Sequence, residues 1–165
     1  MSLDPVAAEA GGFVRLAAPQ DMGQVYAMRH EVFVVGQGVP VKLERDALDA
    51  VADHAVALLG GVVVGTGRLV DGRIDEDGLL VPATAGSVAT IGRMAVSPDA
   101  RRGGLGRALL DLLVARAVER GLPEVELHAQ LHAQGFYHRA GFTPFGPVYL
   151  EAGIEHLGMR RRLSG

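Results

Sequence analysis

The residues able to do chemistry in this 165-residue chain lie mostly in its middle and its last third. Arg101-Arg102-Gly103-Gly104-Leu105-Gly106-Arg107 runs directly into the apolar stretch ALLDLLVARAVER. Gly103, Gly104 and Gly106 carry no Cβ, so their backbone N–H groups can come close to a ligand and positive φ is open to them. Amides turned the same way at a helix start form an anion-binding nest, to which the helix dipole adds positive potential. Arg101, Arg102 and Arg107 add full charge and bidentate donors. A diphosphate is the guest such a loop suits; the plainer alternative is a flexible turn before a helix. Elsewhere, Tyr137 offers a phenol, a proton donor with a free pKa of about 10. His54, His128, His132 and His156 offer imidazoles in the range for proton transfer near neutrality, and Glu31 offers a carboxylate. Asp53, just before His54, is a plausible orienting partner. Arg29, Arg68 and Arg93 are able to hold an acidic group, or to form ordinary ion pairs.

Other chemistries fit less well. A Walker A loop needs Gly-Lys-Ser/Thr, which is missing. A dinucleotide-binding turn needs a third glycine where Leu109 stands. Glu126 lies at the right remove for a ribose carboxylate, but the repeated βαβ units of such folds are missing around it. No cysteine is present, which excludes disulfides and thiolate chemistry. The segment ERDALDAVADH lacks the spacing of a zinc helix or a calcium loop, so no metal is expected. A net charge of −3, with no interleaving of basic and aromatic residues, argues against nucleic acid. No apolar run is long enough to cross a membrane and no signal peptide is visible, so a cytoplasmic location is the expectation.

The elements that must position these residues follow from patterning. Residues 1–12 are weakly patterned and read as a flexible N-terminus, with one domain over 13–165. FVRLAA (13–18) reads as a strand. Pro19 opens a helix with apolar positions at Met22, Val25, Met28, Val32 and Val35. A short helix is expected near Ala47–Val51. HAVALLG and VVVGTGRLVD flank Gly60-Gly61 as a hairpin. Residues 72–87 read as a loop, and 88–98 as a strand in which Gly92 suggests a bulge or a close backbone approach. The helix after the glycine loop runs from about Leu105 to Arg120, with Leu105, Leu109, Leu112, Leu113, Ala117 and Val118 on one face. A strand at PEVELHAQ, a short helix over LHAQGFYHRA and two closing strands complete a mixed α/β sheet.

In this order, Arg101-x-x-Gly104-x-Gly106 after MAVSPDA resembles motif A of the GCN5-related N-acetyltransferases. GFYHRAGF (135–142) is similar to a second signature of that superfamily. RHEVFVVGQGVP (29–40), DHAVAL (53–58), IGRMAV (91–96) and EAGIEHLGM (151–159) narrow the likeness to the ElaA-like branch of small bacterial acetyltransferases. The resemblance implies the acyl-CoA N-acyltransferase fold, with a mostly antiparallel sheet of about seven strands flanked by helices. It implies acetyl transfer from acetyl-CoA to a primary amine by direct attack in a ternary complex. It implies that residues 101–107 hold the coenzyme A diphosphate. It implies that Met94, Ala95 and Val96, on a strand splayed from its neighbour, bond the pantetheine arm. Gln130 stands where an asparagine is common. Tyr137 becomes the acid that protonates the leaving thiolate. The strand before motif A lacks the carboxylate that many relatives use as base, which leaves His54 and His156 foremost. Glu31, Phe33, Arg68 and Arg93 are the expected acceptor contacts, within a pocket formed by roughly 29–53 and 143–156. A sensor that binds acyl-CoA without turnover, and an acyltransferase using another donor, share these features. A homodimer through the terminal strands is also compatible with the sequence.

Overall fold

The computed structural model describes residues 4–8, 11–75, 79–82, 88–101 and 103–163. Its strands are β1 (Val6–Ala7), β2 (Phe13–Leu16), β3 (Asp53–Leu59), β4 (Val62–Ile74), β5 (Leu80–Pro82), β6 (Val88–Val96), β7 (Glu124–Gln130), β8 (Thr143–Glu151) and β9 (Ile154–Arg162). They form one nine-stranded sheet in the order β1-β2-β3-β4-β6-β7-β9-β8, with β5 beside β4. All pairings are antiparallel except β6 with β7. The two strands beyond the expected seven are short. Val6–Ala7, in the segment read as a loose terminus, pairs with β2. Leu80–Pro82, in the segment read as a loop, pairs with a β4 that runs on to Ile74. Both are two- or three-residue edge pieces, too short to leave an alternating pattern.

One face of the sheet carries α3 (Leu105–Glu119), the crossover that a parallel β6–β7 pair requires. Leu105, Leu109, Leu110, Leu113 and Ala117 are buried against Leu69, Ile91, Val125, Leu127 and Met159. The buried arc is centred near Leu113. At about 100° per residue, Val118 falls some 140° away and is 51% exposed, while Leu110 and Val114 are inside. Of the six residues expected on this face, Leu105, Leu109, Leu112, Leu113 and Ala117 are buried and Val118 alone lies off it.

The other face carries α1 (Met22–Arg29), entered through a 3-10 turn at Pro19–Asp21. Val25 packs with Val56, Leu58 and Val63, and Met28 and Val32 pack with Ala95 and Phe33. The expected single helix changes form at His30. Residues His30–Val35 are π-helical, with the Gly36 N–H donating to the Glu31 carbonyl at 3.0 Å. The chain then forms α2 (Val41–Glu44) and a 3-10 turn at Ala47–Ala50, close to the short helix expected there. The last helix, α4 (Gln134–Arg139), sits between β7 and β8 in sequence and ends at Gly141, which has φ +91°.

Candidate active site

The site begins where two parallel strands part. β6 and β7 pair only from Val88 with Glu124 to Ile91 with Leu127. Beyond Ile91, β6 stays with β4, and beyond Leu127, β7 stays with β9, so Gly92–Val96 and His128–Gln130 are the arms of a fork. The parting follows from a bulge. The β4–β6 register slips between Thr66 and Arg68, and Arg93 adopts φ +53° there, next to the glycine that suggested an irregularity. The Ser97 N–H donates to the Val64 carbonyl of β4 at 2.7 Å. Alternation along the strand turns Val96 the other way, toward the gap, where its carbonyl accepts from Arg101 Nε at 2.9 Å. Met94 offers the gap its backbone alone, because its side chain lies over Gly67, where a Cβ would come within 2.5 Å of the Met94 sulfur. Ala95 is buried under Met28 and Val32.

The glycine loop closes the wide end of the fork. Gly104 is the N-cap of α3 in the left-handed region, φ +74°, a conformation that costs a residue with a Cβ. Leu105 puts its side chain into the core, leaving its N–H among the unpaired amides of the first turn. A Cβ on Gly106 would meet Phe136 and Val96 first, each at 3.6 Å. The end of β6, the start of α3 and α4 therefore converge on one spot. Gly103 lies exposed to intermediate degree in the loop, and Arg101 is exposed. Arg107 is exposed as well and bonds Asp111 (3.0 Å) and the Arg139 carbonyl (3.4 Å). Arg102 lies outside the described residues.

Tyr137 stands beside Phe136, with ring centroids 5.0 Å apart and edge-on, and packs against the core under α3. It is half-buried, burial pushes its pKa up to about 12, and its hydroxyl makes no hydrogen bond to another described residue. It is a phenol that stays protonated at neutral pH and has its proton to give.

The other expected residues fall into two groups. His54, Arg68 and Arg93 belong to an ionic cluster on the α1 face. Its centre is Arg29, 1% exposed, which bonds Glu44 (2.7 and 3.0 Å), Asp49 (2.7 and 3.3 Å) and the Glu44 carbonyl (2.8 Å). Arg68 bonds Asp49 (2.9 Å) and Asp46 (2.7 and 3.1 Å). Arg93 bonds the Glu44 and Leu43 carbonyls and Asp46. His54 Nε2 lies 2.9 Å from the Asp49 carbonyl, while Asp53, on the other side of the strand, bonds Arg116 (2.9 Å). Burial would raise the Asp49 carboxyl, but bonds and charge from Arg29 and Arg68 outweigh it and hold its pKa at about 2. The cluster fastens residues 43–49 over the sheet. Its signal in the sequence is Arg29 itself, an arginine on the apolar stripe of α1, four residues after Val25.

The second group lines β7, β9 and β8 on the same face. His156 Nδ1 lies 2.7 Å from the Ile154 carbonyl, and the ring stacks on Tyr149. The Tyr149 hydroxyl lies 2.6 Å from His128 Nδ1. Gln130 exchanges amide bonds with Gln37 (2.8 and 3.3 Å) and meets His132 Nε2 at 2.7 Å. Glu31 is exposed on the π-helical turn, and Phe33 is half-buried against Ala95. The Gln37–Gln130 tie and the Tyr149–His128 contact lie beyond the sequence reading, because Gln37 and Tyr149 carry neither a charge nor a motif that marks them.

The family model for the acetyltransferase (GNAT) domain matches residues 31–163. The chain belongs to the GNAT acetyltransferase family. Within it, the ElaA-like branch is supported by Escherichia coli ElaA, 32% identical over 147 residues, 86% of this chain and 90% of that one. The crystal structure of E. coli ElaA has a TM-score of 0.72 at 26% identity, covering 88% of this chain and 92% of that chain. An acyl-CoA N-acyltransferase structure from Pseudomonas aeruginosa has a TM-score of 0.73 at 33% identity, covering 91% and 97%. This GNAT protein is an acyltransferase enzyme.

Proposed function

We propose that the protein transfers the acetyl group of acetyl-CoA to a primary amine of a small molecule or peptide, by direct attack while both are bound. The observation that carries the reading is the convergence of the α3 amides, the end of β6 and α4 at the mouth of an unpaired strand fork. Amides of residues 104–106, with Arg101, Arg102 and Arg107, would hold the diphosphate. The backbone edge of Met94–Val96 that β7 leaves unpaired would bond the pantetheine arm as a missing strand would. When bound, the thioester supplies an electrophilic carbon and a leaving sulfur, to which Tyr137 donates its proton. The amine would lie on the α1 face, between the π-helical turn with Glu31 and Phe33 and the strands bearing Tyr149 and His156. His54, Arg68 and Arg93 then serve to fix residues 43–49 as the wall of that pocket, since each bonds to that segment.

Acetyl-CoA at 100-fold over its Kd should stabilise the protein by about 2.7 kcal/mol, read as a raised unfolding midpoint. Thiol release should then appear with members of a primary-amine panel. Longer acyl thioesters, run in parallel, identify the donor. No midpoint shift with any acyl-CoA would end the reading, and a shift without turnover would favour a sensor.

A further inference from the structure

His128 is the first residue of β7 past the point where the fork opens, and it sits on a strand interior to the sheet yet has an exposed side chain. A side chain exposed in mid-sheet marks the floor of a cleft. The neighbours on its strand, Leu127 and Ala129, are buried in the core under α3, so His128 points to the opposite, α1 face. Its Nδ1 is held by the Tyr149 hydroxyl at 2.6 Å, and Nε2 makes no hydrogen bond to another described residue. The other candidate bases among the histidines differ. His54 is buried against the Asp49 carbonyl, His132 is engaged by Gln130, and His156 is 8% exposed, with one nitrogen on the Ile154 carbonyl and the other 3.6 Å from Glu151.

Resting on the acetyltransferase reading, we infer that His128 is the base that takes the proton of the acceptor amine, with Tyr149 as its positioning residue. Tyr137, next to the Phe136 that meets the glycine loop, packs on the α3 face of the sheet, and His128 stands on the other. That is the placement an acyl transfer needs, with the nucleophile approaching one side of the carbonyl carbon and the sulfur leaving from another. His128 Nε2 removes one proton from the ammonium group and later releases it to solvent. The neutral nitrogen forms its bond to the carbonyl carbon, and the C–S bond breaks as Tyr137 protonates the sulfur. The second proton lost by the nitrogen restores the Tyr137 phenol. For Nε2 to carry a lone pair, Nδ1 must hold the hydrogen and donate it to the Tyr149 oxygen. The protein atoms around the ring lower the His128 pKa by desolvation, the charges of Glu151 and Glu126 oppose this, and that of His156 adds to it, which favours the neutral imidazole. Burial and the Glu151 charge push Tyr149 up to about 12, so its phenol remains intact as the partner.

Long-range 15N–1H spectra of the full chain, with His128 assigned by its loss in His128→Gln, read the tautomer directly. Protonated Nδ1 with bare Nε2 at pH 7 is expected; protonated Nε2, or a charged ring at pH 7, overturns the inference. Kinetics use acetyl-CoA with benzylamine, tyramine, spermidine and a lysine tripeptide, followed by thiol release. His128→Gln should lower kcat/KM by about 10²-fold and abolish the acidic limb of its pH profile. The acetyl-CoA-induced shift in unfolding midpoint should persist, which shows that the variant is folded. Tyr149→Phe should move that limb while leaving the same midpoint shift. A His128→Gln protein that binds acetyl-CoA and keeps the wild-type rate and limb refutes His128 as base and leaves the enzyme reading standing. Wild-type protein that binds acetyl-CoA but turns over none of the four amines counts against both.

Discussion

Tyr137 shows how much one side chain's surroundings decide. An ordinary phenol would begin to ionise near pH 10, but burial holds this one at about 12. If it is the acid, activity should show no alkaline fall from Tyr137 up to pH 10. Tyr137→Phe should lower kcat by about 10²-fold with acetyl-CoA binding retained, because the ring packs on Phe136 and Phe142 whether or not it carries oxygen. An unchanged kcat would remove the acid role and leave the binding loop untouched. Tyr137 was legible in the sequence because a Phe-Tyr pair before Gly141-Phe142 forms a motif. His128 was only one imidazole among several, since nothing in a sequence says which strand position borders a fork.

At the scale of elements, the ionic cluster is what fixes the segment from α2 to the 3-10 turn. Arg29 joins α1 to Glu44 and Asp49, and Arg68 and Arg93 join β4 and β6 to the same segment. Asp49 has its folded pKa depressed to about 2 from an ordinary 3.8. Its stabilisation is therefore complete above about pH 4 and vanishes as pH falls toward 2, a loss of about 2.5 kcal/mol. Asp46 and Asp21 are shifted in the same direction and steepen the same limb. Unfolding followed by circular dichroism should show the midpoint falling between pH 4 and 2. Asp49→Asn should flatten that fall and lower stability at pH 7 by about 3 kcal/mol, since a buried guanidinium loses a partner. From the sequence, Arg68 and Arg93 read as acceptor contacts and His54 as a candidate base. Residue types show which groups can bond, and only the fold shows that their partners lie on α2 and the turn after it.

For the whole molecule, layer order and topology were readable because long amphipathic stretches dominate them. The α3 helix, the β3–β4 hairpin and the parallel crossover all have strong periodic signals. The short additions did not: β1, β5 and the π-helical turn follow from edge pairing and packing that no local window contains. The fork has a further consequence for how the sheet breathes. Strands locked on both sides protect their amide hydrogens from solvent deuterium, but the arms from Gly92 to Val96 and from His128 to Gln130 each lack one neighbour. Their inward-facing amides should exchange within seconds to minutes while those of Val88–Ile91 persist far longer. Saturation with coenzyme A should bring the two sets closer together. Isotope uptake measured peptide by peptide would thus trace the outline of a strand that this sheet leaves for a visiting molecule to supply.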